Sequence, residues 1–191
     1  MTFPQLFEHP PVFETPRLIL RRLHMEDAED YFAMASNPLV SKHTVWDTHQ
    51  SVQDSIAYLS MLQKKMDSNQ CFHWGMIDKE SHRWIGRVGW IHLEPFHGLA
   101  EVGFALHCGW WGQGIMSEAA GAVIRYGFED LDLNRIEGRC NVGNGGSERV
   151  LQKLGMSFEG ILRKQLRIKG HHTDQKMYAI LKSDFQNQQE A

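Results

Sequence analysis

The part of this chain best suited to chemistry is Gly109-Trp110-Trp111-Gly112-Gln113-Gly114-Ile115-Met116-Ser117. A run that reads as a strand, Ala100 to Leu106, precedes it, and a run that reads as a helix, Ile115 to Asp130, follows. The first N–H groups of a helix have no partner within it. The helix dipole adds partial positive charge at the same end. Glycine lets the backbone come close to a phosphate. Strand, glycine turn and helix start together predict an anion site, and the anion expected is a pyrophosphate.

Other reactive residue types are present without a spacing that uses them. Of eleven histidines, only His171 and His172 are adjacent, and they fall at a predicted turn. No His-x3-His pattern or carboxylate at ligand spacing accompanies them, so no metal site is expected. Cys71, Cys108 and Cys140 are an odd count at wide spacing. They imply reduced thiols and a cytoplasmic protein, not a disulfide framework. Cys140 reads as a small buried hydrophobe. Trp46, Trp84, Trp90, Trp110 and Trp111 either pack or line a pocket, with packing the simpler reading.

The elements that hold the turn follow from periodicity. Residues 1–14 carry three prolines and read as a leader, with 1–11 expected to be loosely ordered. Arg17 to Leu23 alternates as a first strand. Met25 to Met34 reads as a helix with Glu26 and Asp27 in its first turn, ended by Asn37-Pro38. Ser51 and Asp54 have capping-box spacing and open a second helix on Ile56, Leu59 and Leu62, running to about Asp67. Cys71 to Ile77, Trp84 to Leu93 and Leu99 to Leu106 form a predicted meander. The helix after the turn has Met116, Ala119, Ala120, Val123, Ile124, Gly127 and Phe128 on one stripe. Arg135 to Cys140 is a strand, and Ser147 to Leu154 a short helix stopped by Gly155. Ser157 to Ile168 and Asp174 to Leu181 are the last strands, turning at Lys169-Gly170. The order β-α-α-β-β-β-α-β-α-β-β predicts an α/β (α+β) fold, a mixed sheet with helices on both faces.

At 191 residues and 42% hydrophobic content, one domain over 1–191 is expected. No apolar run is long enough to span a membrane. A net charge of -3 does not suggest a general nucleic-acid binder. Nothing in the sequence decides whether the chain forms a homodimer.

Three ordered blocks resemble the GCN5-related N-acetyltransferase (GNAT) superfamily. The first is Trp111-Gly112-Gln113-Gly114 with Ile115-Met116-Ser117-Glu118-Ala119, similar to its acetyl-CoA-binding motif. The second is Asn141-Val142-Gly143-Asn144-Gly145-Gly146-Ser147 followed by Val150-Leu151-Gln152-Lys153-Leu154-Gly155-Met156 and Glu159-Gly160-Ile161-Leu162-Arg163. The third is Gly170, Asp174 and Tyr178-Ala179-Ile180-Leu181. With Pro16-Arg17-Leu18-Ile19-Leu20-Arg21 as the opening strand, the resemblance covers residues 12–182 and is to the ribosomal-protein N-terminal acetyltransferase (RimJ/RimL) branch. Trp111 and Met116 depart from the broad superfamily pattern, which has Gln or Arg and Gly or Ala there.

The resemblance implies a V-split sheet and direct acetyl transfer from acetyl-CoA to an amine. It implies that the backbone amides of Gln113, Gly114, Ile115, Met116 and Ser117 bind the pyrophosphate. It places the pantetheine arm in the gap between two splayed strands, with a free N–H at Phe104, Ala105 or Leu106 to polarise the thioester carbonyl. Asn144 then bonds the pantetheine or acetyl end. Ser147 is the proton donor to the thiolate, or a helix N-cap, or both. Glu101 is the general base, or a carboxylate that orients a water or pairs with a cation. Arg149 and Lys153 either meet the 3′-phosphate or form a solvated basic face, and Tyr178 is either an acid or structural. The acceptor implied is the N-terminal α-amine of a ribosomal protein, with a small amine (polyamine, amino acid or aminoglycoside) as the alternative. A third reading is a non-catalytic acyl-CoA-binding module.

Overall fold

The meander and the βαβ unit merge into one sheet. Within the described residues, 3–190, this computed structural model places eight strands in the order β1-β2-β3-β4-β5-β6-β8-β7. The strands are β1 (Phe13–Glu14), β2 (Leu18–Arg22), β3 (Phe72–Asp78), β4 (Trp84–Glu94), β5 (Leu99–Leu106), β6 (Arg135–Asn141), β7 (Ser157–Ile168) and β8 (His171–Leu181). The helices are α1 (Pro4–Glu8), α2 (Ala28–Ala35), α3 (Pro38–Ser41), α4 (Val52–Asp67), α5 (Ile115–Glu129), α6 (Gly145–Lys153) and α7 (Lys182–Glu190). All neighbours pair antiparallel except β5 and β6, which are parallel. A parallel pair needs a crossover, and α5 supplies it.

Period-two alternation sends side chains to two cores, one on each sheet face. Leu18, Leu20, Phe72, Trp74, Met76, Trp90, Val102 and Ile136 face α1, α5 and α6. On that face α5 buries Met116, Ala119, Ala120, Val123, Ile124 and Phe128, the stripe expected from 3.6-residue spacing. Leu23, Trp84 and Ala105 face the other core, with Tyr31 and Met34 of α2 and Leu59 and Leu62 of α4.

The leader departs from expectation. Leu6 is fully buried, and Phe7 meets Phe72 edge-on at 5.9 Å. Phe3, Leu6 and Phe7 form a helical stripe, and Pro4 stands at the start of α1, where no N–H is required. Trp74 Nε1 donates to Pro11 O at 2.9 Å, and Phe13 pairs with Leu20. Residues 1, 2 and 191 lie outside the described residues.

Four local readings also change. Glu26 and Asp27 lie in the first helical turn as expected, but that turn is 3-10, Met25–Asp27, and Asp27 accepts from the His24 N–H and pairs with Arg21. Asn37 does not merely end a helix. Its side chain accepts from Leu39 N–H and caps the short α3. The capping box of Ser51 and Asp54 is present, and α4 buries Leu59 and Leu62 as expected, but Ile56 is exposed and Ser55 and Met66 complete the buried face. The C-terminal α7 has no counterpart in the sequence reading, because its stretch is polar except for Phe185, which packs on Phe128 at 5.0 Å.

Candidate active site

The parallel ladder between β5 and β6 is short. It runs from Leu99↔Arg135 to Val102↔Gly138 and stops. Beyond it, β5 stays on β4 as far as Leu106↔Gly86, and β6 stays on β8 as far as Asn141↔Gln175. Gly103–Leu106 and Arg139–Asn141 therefore border a gap in the sheet. A bulge in β4, between Trp90 and His92 opposite Glu101 and Val102, lies where the strands part. Bulges bend a strand and raise its twist. On the other bank, a Cβ at Gly138 would lie 2.5 Å from Leu151 Cδ2, so only glycine lets α6 pack this closely on β6.

The direction of the β5 amides follows from the ladder. His107 N–H donates to Ile85 O, and in an antiparallel pair the bonding residues alternate. Ala105 N–H thus points at β4, which corrects its place among the gap donors. The amides of Phe104 and Leu106 face the gap, where β6 offers no partner. Leu106 O accepts from Trp111 Nε1 at 2.9 Å. Trp111, at a position where the family pattern differs, thereby pins the turn to the strand end.

In the turn itself, Gly112 and Gly114 have φ of 76° and 77°, a left-handed conformation that glycine adopts without strain. Gly114 is the N-cap of α5 and brings no side-chain cap bond. Glu118 N–H bonds Gly114 O. Among the described residues, the amides from Gly112 through Ser117 have no acceptor and stand as free donors. Ile115 and Met116 bury their side chains in the core under the sheet. The Gln113 side chain turns back to Gly109 O at 3.0 Å. Glu118 would repel an anion here, but Arg17 answers it. Arg17 Nε donates to Glu118 Oε2 at 2.7 Å, and Arg17 Nη1 to Gln113 O at 2.9 Å. Burial opposes ionisation of Glu118, yet Thr15 and the Arg17 amide and guanidinium outweigh it and hold the carboxyl below its ordinary range. Arg17 was not singled out as a site residue. Its signal was its place at the start of the opening strand, which gives no hint of a partner a hundred residues away.

Glu101 is buried on β5, on the face shared with Ala105. Its Oε2 accepts from Arg139 Nη2 at 2.6 Å. Burial pushes the carboxyl up, and the Arg139 charge and hydrogen bond push it back in part. Asn141, the last residue of β6, donates to His43 O at 3.0 Å and accepts from Gln175. The loop between α3 and α4 is thus tied to the open end of the gap.

Asn144 and Ser147 form one unit. The helix begins at Gly145, two residues before the expected start, and Asn144 is its N-cap. Asn144 Oδ1 accepts from Ser147 N–H at 3.2 Å, and Asn144 Nδ2 donates to Ser147 Oγ at 3.0 Å. Ser147 is therefore not the cap. Its oxygen accepts from Asn144, which leaves its own O–H proton free to donate elsewhere. Tyr178 is structural in its contacts: its O–H donates to Glu148 Oε1 at 2.7 Å. Cys140 sits in the α5-side core, its thiol pushed up to about 11 by burial and then by Glu148.

The comparisons with known proteins agree with this geometry. Residues 17–157 match the model of the Acetyltransferase (GNAT) domain. The N-acetyltransferase YoaA of Bacillus subtilis is 32% identical over 172 residues, covering 90% of this chain and 97% of its own. The [Ribosomal protein uS5]-alanine N-acetyltransferase of Escherichia coli is 28% identical, covering 90% and 91%. A GNAT-family acetyltransferase structure from Bacillus anthracis superposes with a TM-score of 0.79 at 25% identity, covering 91% of this chain and 99% of that one. The chain belongs to the GNAT family and is an N-acetyltransferase.

Proposed function

We propose that this enzyme acetylates the N-terminal α-amine of a protein, drawing the acetyl group from acetyl-CoA, the co-substrate of its family. The observation that carries the reading is the meeting of two sets of unpaired amides: Gly112 to Ser117 at the α5 start, and Phe104 and Leu106 on the gap. The first set suits a pyrophosphate. The second suits an extended arm lying in the gap and offers an N–H to negative charge growing on a carbonyl oxygen. Ser147 has the free proton a departing thiolate requires. Acetyl-CoA supplies the activated thioester.

The acceptor class follows from the base. Burial raises the Glu101 carboxyl and Arg139 offsets that only in part, so Glu101 keeps some strength as a proton acceptor. Making an α-amine neutral at pH 7 takes about 1 kcal/mol, against about 4.6 kcal/mol for a lysine side chain. The α-amine is the acceptor that asks least of any base. Lys169 Nζ bonds Ser41 O beside Lys42, and His43 O is tied to the open end of the gap, so the cations gathered there disfavour a polyamine or aminoglycoside. The relative from Escherichia coli that acetylates a uS5 alanine makes ribosomal proteins the first acceptors to try.

The test is acetylation of two versions of one peptide, and of polyamines, with labelled acetyl-CoA. The reading expects transfer to the peptide with a free N-terminus and blocked lysines, and none to the peptide with a blocked N-terminus and free lysines. The reverse pattern, or transfer to polyamines alone, would sink it.

A further inference from the structure

Positive charge in this acidic chain is concentrated on the β7–β8 hairpin. Residues 161–176 hold Arg163, Lys164, Arg167, Lys169 and Lys176 against one carboxylate, Asp174, in a protein of net charge -3. Lys176 is paired with Glu148. Arg163, Lys164, Arg167 and Lys169 are exposed, as are His171 and His172. Among the described residues, none of those four cations forms an ion pair. Asp174 turns its Oδ1 to the Lys164 N–H at 2.8 Å.

Two contacts join this hairpin to the gap. Lys169 Nζ donates to Ser41 O at 2.8 Å, which sets it beside the exposed Lys42. His43 O in turn accepts from Asn141 at the open end of β6. In the α3–α4 loop the one opposing carboxylate is the exposed Asp47. Gathering Lys42, His43 and Lys169 without a fixed acid opposes folding, and an anionic partner relieves it.

We propose that this surface docks an acidic segment of the acceptor polypeptide, the residues that follow its acetylated amine. The inference rests on the reading of a protein N-terminus as acceptor. An extended chain advances about 3.3–3.6 Å per residue, so the residues soon after the amine are those that pass the α3–α4 loop and reach the hairpin. A polypeptide fits better than a nucleic acid. The cleft at the β7 irregularity, about 690 Å³, mixes Ile161 and Leu162 with Arg163, Lys164, Gln165 and Asp174, and has no aromatic ring on which a base would stack. β7 is also the edge strand of the sheet, where an extended peptide finds unpaired backbone.

The experiment measures binding by fluorescence anisotropy with the N-terminus of the probe blocked, so that no acetylation is involved. One probe carries Asp and Glu at positions 3–8, and its twin carries Asn and Gln there. The acidic probe is expected to bind on the order of tenfold tighter at low salt, and the gain to vanish at about 0.5 M salt and in Arg163→Gln/Lys164→Gln/Arg167→Gln. Thermal unfolding of that variant checks its fold. Equal binding of the two probes overturns the inference, and so does an RNA oligonucleotide that outcompetes the acidic probe. If the blocked acidic probe binds but no free N-terminus is acetylated, the acceptor reading alone fails. If free peptides are acetylated without any acidic preference in binding or rate, the docking surface alone fails.

Discussion

Asn144 is where stability and catalysis separate most cleanly. It caps α6 through Ser147 N–H and donates to Ser147 Oγ. Asn144→Ala removes both bonds. Loss of a cap destabilises by about 1 kcal/mol, within about 0.5–2, and a domain of this size loses about 2–4 °C of Tm per kcal/mol. The fraying reaches Leu151, the α6 side chain buried against Gly138. Asn144→Asp is the sharper probe. Aspartate caps as well as asparagine, so Tm should hold. It has no N–H to give Ser147 Oγ and instead accepts the Ser147 O–H, drawing the proton away from the gap. If that proton goes to the leaving thiolate, kcat at saturating acetyl-CoA should fall at least about tenfold, toward that of Ser147→Ala, since a positioned acid contributes roughly 10²–10⁴. The assay is kcat at saturating acetyl-CoA beside a thermal melt. A wild-type kcat in both Asn144→Asp and Ser147→Ala would refute the proton-donor role, and an unchanged Tm in Asn144→Ala would refute the cap.

Gly114→Val forces a β-branched residue to φ 77°, a strain of about 1–2 kcal/mol. Arg17 Nη2 at 3.7 Å leaves room for its Cβ, so the protein should fold with a lower Tm and weaker acetyl-CoA binding by calorimetry; unchanged affinity counts against the pyrophosphate turn. Arg139→Met removes the charge that partly restrains Glu101. The carboxyl then rises further, and the acid limb of the kcat/KM profile should move to higher pH, whereas a profile that stays put removes Glu101 as base. Burial first, then the Arg87 and Lys65 charges, hold His73 well below its ordinary 6.5. The folded state keeps it neutral and the unfolded state does not, so its contribution is whole above pH 6.5 and lost as pH falls, with a limiting slope of about 1.4 kcal/mol per unit. Urea midpoints that stay flat between pH 7 and 5 would contradict this.

The chain shows unevenly what it will become. β5, α5, β6 and the turn between them lie close to their predicted bounds, because alternation, a 3.6-residue stripe and glycines at turns are local signals. Arg17 with Glu118, and Glu101 with Arg139, were not legible as pairs. Each joins residues far apart in sequence, and charge alone does not name a partner. The start of α6 was misplaced because Ser147 and Asn144 are both good caps, and the choice depends on which reaches the free N–H. The leader was misread because its three prolines are a local signal, whereas Phe72, the partner of Phe7, lies on a distant strand.

The gap and the anion turn are consequences of one crossover. α5 must leave β5 at its C-terminal end and return to the start of β6, so the helix N-terminus necessarily opens beside the end of β5. Had the parallel ladder continued, β6 would occupy the amides of Phe104 and Leu106, and the free donors of Gly112 to Ser117 would face a closed sheet. The ladder stops at Val102 and Gly138, while β4 and β8 hold the two banks in place. Unpaired strand edges ordinarily invite association. Here they lie inside the sheet, flanked by α6 and the α3–α4 loop, and under the proposed function an extended ligand anchored by its phosphates at the turn would satisfy both.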